Sequence, residues 1–95
     1  MGSYENTKNI FKKGQEIGKD LEEQFKKQIF RILELTRLGR INDSYQMIMR
    51  ILVSAGKEVP SELVKVLSEQ DQELQKSYIY AFLSGVLGGG ERIGR

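Results

Sequence analysis

Residues 20–56 read DLEEQFKKQIFRILELTRLGRINDSYQMIMRILVSAG. In the first half, Leu21, Phe25, Ile29, Ile32, Leu33 and Thr36 recur at steps of three and four, the signature of a helix with one apolar stripe. Asp20, Glu22 and Glu23 stand at its start and Arg37 and Arg40 at its end, the charge order that a helix dipole favours. Gly39 is a natural helix terminator. Asn42 and Asp43 are N-cap types that open a second helix, whose core is expected from Tyr45, Ile48, Met49, Ile51, Leu52 and Val53. Gly56 closes it. The stretch therefore predicts one helix over 20–38, a short turn, and another from 42 or 43 to 55.

The rest of the chain continues the pattern. A helix over 7–18, capped by Thr7, carries Ile10, Phe11, Gly14, Ile17, Gly18 and Leu21 near one face and Lys8, Lys12, Gln15 and Lys19 on another. Gly14 and Gly18 weaken a helix by about 1 kcal/mol each relative to Ala, which implies close approach of another backbone or a break at Gly18. Their Gly-x-x-x-Gly spacing lies in too polar a segment for a membrane dimer motif. Pro60, the sole proline, suits the first turn of a short helix anchored by Leu63, Val64 and Leu67. A last helix over 71–87 places Leu74, Tyr78, Ala81, Phe82, Gly85 and Val86 on one face. Ile79, Tyr80 and Leu83 widen that face, so this helix is either central or part of a partner interface. Gly88 can end it. The expected architecture is all-α: a compact bundle of about five helices, one of them short, with sequential antiparallel connections. Residues 1–6 are expected to be flexible, 7–88 to form the bundle, and 89–95 to form a flexible Gly-rich tail.

Composition narrows the chemistry. The chain has 95 residues, room for one small core and none for a deep interdomain cleft. It contains no Cys and no His, which removes thiolate nucleophiles, imidazole bases and the commonest zinc ligands. No apolar run reaches the length of a membrane span, and the first residues lack a signal-peptide core, so a cytoplasmic protein is expected. The acidic groups do not form a catalytic pair: Glu22 and Glu23 point about 100° apart on a helix, and Glu69, Asp71 and Glu73 span a helix start, where acids suit the dipole. Gly88, Gly89 and Gly90 lack the strand, helix and Lys-Ser/Thr of a phosphate-binding loop. No enzyme activity, metal, cofactor or small-molecule substrate is expected.

Charge points elsewhere. Between residues 24 and 57, seven basic side chains face only Glu34 and Asp43, a net +5. Lys19, Lys26 and Arg37 share a face if the first two helices are nearly continuous, and Lys27 and Arg31 flank it at i, i+4 spacing. With Lys12, Arg40, Arg50 and Lys57 they make up the candidate nucleic-acid-binding set. A spread over several elements suits a phosphate backbone more than base edges. A helix-turn-helix reader around Gly39 would have only Gln46 and Arg50 for readout. Tyr45, Tyr78 and Tyr80 could stack on bases, but such residues are more often core or rim, and the core reading is favoured. A helical adaptor, holding partners through the wide face of Ile79, Tyr80 and Leu83, is the alternative.

Three segments together carry a resemblance: FKKGQEIG (11–18), SYQMIMRILVSAGKEVP (44–60) and SYIYAFLSGVLG (77–88). In this order they resemble the C-terminal helical region of the large subunit of type I-B CRISPR surveillance complexes (Cascade), a region that related systems also make as a separate small subunit. The resemblance spans about residues 10–88 and rests mainly on apolar and Gly positions. It implies a non-enzymatic helical subunit in antiviral defence. Such a subunit supports the guide RNA–target DNA hybrid and the displaced strand without reading sequence. It also implies as partners the large and backbone subunits of the complex, a second copy of the chain, guide RNA and target DNA, with no membrane. The family supplies no catalytic motif and no matched set of basic positions.

Overall fold

A computed structural model describes the backbone of residues 2–89. Its elements are α1 (Gly2–Asp20), α2 (Glu23–Arg37), α3 (Ile41–Ser54), α4 (Ser61–Val64), a 3-10 turn (Lys65–Ser68) and α5 (Gln72–Gly89), with no strand among the described residues. The fold is the all-α bundle that the periodicity predicts. The Gly-rich tail expected at 89–95 falls, beyond Gly89, outside the described residues.

The core is a single cluster. Ile10 and Leu21, Ile29 and Ile32 from α2, and Ile41, Tyr45, Ile48, Ile51 and Leu52 from α3 surround Tyr78, Ile79, Phe82, Leu83 and Val86 of α5. Helix α5 touches every other element. Its apolar residues at 78, 79, 82, 83 and 86 leave no room for a polar stripe on the inner side, so the helix is central to the bundle. The Cα radius of gyration is 12.3 Å, close to the roughly 12 Å expected for a folded chain of this length.

Packing order does not follow chain order throughout. Helices α2 and α3 are neighbours in sequence and in space, but the most extensive pairing joins α1 to α5, the two ends of the chain. Glycine makes that pairing possible. A Cβ built on Gly14 would overlap the carbonyl oxygen of Phe82 and lie 3.1 Å from the amide nitrogen of Val86. One built on Gly85 would overlap the carbonyl oxygen of Phe11, and one on Gly18 that of Val86. The two backbones are thus in direct contact, and the helix runs on through Gly18 to Asp20.

Several boundaries and burials differ from the sequence reading. Helix α1 begins at Gly2, so Thr7 lies inside it instead of capping it; nothing between residues 3 and 13 breaks a helix. The break between the first two helices falls at Leu21 and Glu22, with Glu22 extended at φ −68°, ψ 152°. Helix α3 begins at Ile41, and Asn42 and Asp43 are within its first turn. Met49 and Val53, expected in the core, are exposed, and Ile41 and Ser44 are buried in their place. After α4 the chain tightens to three residues per turn, so Leu63 and Val66 align inward while Val64 and Leu67 face solvent. Helix α5 passes through Gly88 to Gly89.

Two turns share one stereochemistry. After α2, the Gly39 amide donates to the Thr36 carbonyl (3.0 Å) and the Arg40 amide to the Leu35 carbonyl (2.9 Å). After α3, the Gly56 amide donates to Val53 (3.0 Å) and the Lys57 amide to Leu52 (2.8 Å). Both are Schellman caps, with Gly39 and Gly56 at φ +83° and +75°. Side chains then lock the connections. The amide of Gln72 donates to the Gly39 carbonyl (3.4 Å), and that of Gln75 to the carbonyls of Val66 (3.3 Å) and Glu69 (3.1 Å). Between α2 and α3 the buried hydroxyls of Thr36 and Ser44 lie 2.9 Å apart. The Thr36 hydroxyl is also 2.8 Å from the Ile32 carbonyl, to which it donates its single proton, so Ser44 supplies the proton shared by the two hydroxyls.

Candidate nucleic-acid interface

The turn Leu38–Arg40 sets α2 against α3 and leaves an open groove of about 290 Å³ along their outer side. Arg31 and Leu35 line it from α2, Arg40 from the turn, and Asp43, Gln46, Met47 and Arg50 from α3. The i, i+4 spacing of Arg31 with Leu35, Asp43 with Met47, and Gln46 with Arg50 aligns these side chains along the groove. Three guanidiniums and one carboxylate give it a net +2. Arg40 pairs with Asp43, while Arg31 and Arg50 make no ion pair among the described residues. A planar guanidinium without a carboxylate partner is the group best shaped for bidentate contact with phosphate.

The other candidate residues lie elsewhere. Arg37 is spent on Glu34, one turn earlier on α2. Hydrogen bonding and charge attraction between them hold the Glu34 carboxyl below the usual carboxylate range and the Arg37 guanidinium above its own. Lys57 reaches the Asp20 carboxylate at 3.4 Å and ties the end of α3 to the end of α1. Lys12 and Lys19 are exposed on α1, Lys27 is exposed on α2, and Lys26 is half-buried there. None of these four makes an ion pair among the described residues, and none lines the groove. The single face proposed for Lys19, Lys26 and Arg37 required continuous helices, and the bend at Leu21–Glu22 interrupts them.

The tyrosines pack with the core to different degrees. Tyr45 and Tyr78 are buried and Tyr80 is half-buried. Burial pushes the Tyr45 phenol above its ordinary range. Among the described residues the exposed ring is instead Phe30, at 64%. The signal was present in the sequence: Phe30 is the aromatic residue of α2 that falls off the stripe of Leu21, Phe25, Ile29, Ile32, Leu33 and Thr36.

A second groove, of about 440 Å³, has the opposite sign. Glu16, Glu58 and Glu62 line it with Lys13 as their only cation. Asp71 caps α5: its Oδ1 accepts the Glu73 amide at 3.0 Å. Among the described residues no three His, Cys, Asp or Glu side chains converge on a metal-sized site, and no helix is long and apolar enough to cross a membrane. Comparison of the chain with protein-family models, with curated proteins and with solved structures found no match.

Proposed function

We propose that this chain is a non-enzymatic helical subunit that binds nucleic-acid backbone without reading base sequence, and that it serves as the small subunit of a type I CRISPR surveillance complex. One observation carries the binding: Arg31, Arg40 and Arg50, drawn from two helices and the turn between them, converge on one open groove that holds a single carboxylate. Cations held on a rigid pair of helices follow a phosphate chain. The outward side of α3 supplies few groups able to read base edges. The assembly is supported by the three segments that resemble the C-terminal helical region of the large subunit. A modest basic groove suits that setting, because copies in a row and neighbouring subunits raise avidity without new contacts. The adaptor alternative has less support from the face that suggested it, since Ile79 and Leu83 are buried inside the bundle and Tyr80 is half-buried.

The test is a salt series on binding of single-stranded DNA, duplex DNA and an RNA–DNA hybrid, each with a scrambled-sequence control. Affinity should ignore sequence and fall steeply with salt. Arg31→Glu with Arg50→Glu should abolish it, and should weaken target binding in a reconstituted complex. Unchanged binding in that double variant removes the groove from the function. A strong preference for one duplex sequence replaces backbone tracking with base readout.

A further inference from the structure

Phe30 is a large apolar side chain left in water, 64% exposed, on a helix whose inward stripe is complete without it. On a helix the surface neighbours of a residue lie three and four positions away. For Phe30 these are Lys26 and Lys27 on the preceding turn and Leu33 and Glu34 on the next, and Arg31 follows it directly. Lys26, Lys27 and Arg31 make no ion pair among the described residues, and the charge of Glu34 is taken by Arg37. The ring is therefore flanked on its own face by two cations without an ion pair, Lys26 and Lys27, while Arg31 points about 100° away and lines the groove between α2 and α3.

We infer that Phe30 is a base-stacking platform, and that the basic surface around it takes a single strand of nucleic acid. This rests on the backbone-binding reading above and narrows its ligand. A duplex keeps its base faces stacked against one another and presents phosphate to an exposed ring. A single strand presents base faces and phosphates together, which is what an aromatic ring set among cations accommodates. A protein partner that covered Phe30 would have to desolvate the unpaired charges of Lys26 and Lys27, a cost that a polyanion turns into attraction.

The test compares three fluorescent ligands at low salt: a thymidylate dodecamer, the same backbone without bases, and a duplex of equal length. Phe30→Ala should weaken binding of the thymidylate strand by about tenfold and leave the other two unchanged. The chain contains no Trp, so Phe30→Trp adds a sole indole. It should retain affinity for the thymidylate strand and be quenched by it, but not by the abasic strand. Equal loss for all three ligands, or unchanged thymidylate affinity with an unquenched indole, overturns the stacking role. A concentration-dependent dimer that Phe30→Ala dissolves, with oligonucleotide binding intact, assigns the ring to a protein contact instead. Wild-type protein that binds none of the three ligands overturns the backbone-binding reading itself, an outcome distinct from loss of stacking alone.

Discussion

Gly14 holds α1 against α5 by having no side chain. An alanine there gains about 1 kcal/mol in helix propensity. It also drives a methyl into the Phe82 carbonyl, a backbone atom that has no rotamer to escape into. Overpacking of this kind costs about 1–3 kcal/mol and more where the backbone itself must move. Gly14→Ala should therefore lower the melting temperature by about 10 °C in a circular dichroism melt. Gly88→Ala is the matched control: the glycine is helical and a Cβ there meets nothing within 4 Å. That substitution should raise the melting temperature by a few degrees, and equal effects at the two sites would refute the backbone contact. Tyr45 supplies a second residue-scale test. Its phenol titrates higher in the folded protein than the unfolded value of about 10 because burial disfavours the phenolate. The stability tied to the neutral phenol is complete below the unfolded value and is lost as pH rises through the folded one. Urea midpoints should fall above about pH 10, and Tyr45→Phe should flatten the part of that fall that Tyr45 causes.

At the scale of elements, the helix ends are decided by backbone stereochemistry. Gly56 adopts φ +75°, and a Cβ there would meet nothing within 4 Å, so its role is purely conformational. Gly56→Ala should cost about 1–2 kcal/mol, the penalty of a left-handed conformation for a residue with a Cβ. Gly56→Asn should cost clearly less, because Asn tolerates that region. If the two variants unfold at the same denaturant concentration, the cap is not what limits this turn. Gly39 adds a second role, since its carbonyl accepts from Gln72 and joins the α2–α3 turn to the start of α5. The α4 segment shows how helix type selects the buried residues. The 3-10 spacing puts Leu63 and Val66 inward, whereas a continued α-helix would have favoured Leu63 and Leu67.

Across the described residues, some basic side chains are paired and others are not. Arg37, Arg40, Lys57 and Lys76 are engaged with Glu34, Asp43, Asp20 and Glu73. Arg31, Arg50, Lys26 and Lys27 make no ion pair among the described residues. Removing an unpaired cation that touches phosphate should reduce the slope of log affinity against log salt by about 1. Arg31→Gln and Arg50→Gln should each do so, while Arg37→Gln should change the slope little because Glu34 already neutralises it. A uniform response to all three substitutions would mean that net charge alone governs binding. The surface pairs have a small role in stability, since exposed ion pairs contribute little, and all three variants should melt close to wild type.

The amino-acid sequence by itself determined the helical class, the inward stripe of α2, the caps at Gly39 and Gly56, and the concentration of charge between residues 24 and 57. Each of these follows from interactions within a few residues: side-chain periodicity, the conformations open to glycine, and the alignment of charge with a helix dipole. Gly14 and Gly18 announced a close backbone approach but not its partner, the Phe82–Val86 stretch of α5, which is far away in sequence. Only the tertiary structure decided that α1 pairs with α5, that Met49 and Val53 face solvent, and that Arg31, Arg40 and Arg50 line one open groove while Lys57 pairs with Asp20. Of the nine residues expected at the interface, Arg31, Arg40 and Arg50 share that groove, because α2 and α3 turn back on each other at Gly39 while the bend at Leu21–Glu22 interrupts the face that was to carry Lys19 with Lys26 and Arg37. Burial and charge pairing depend on which elements meet in space, and that is settled by packing around α5.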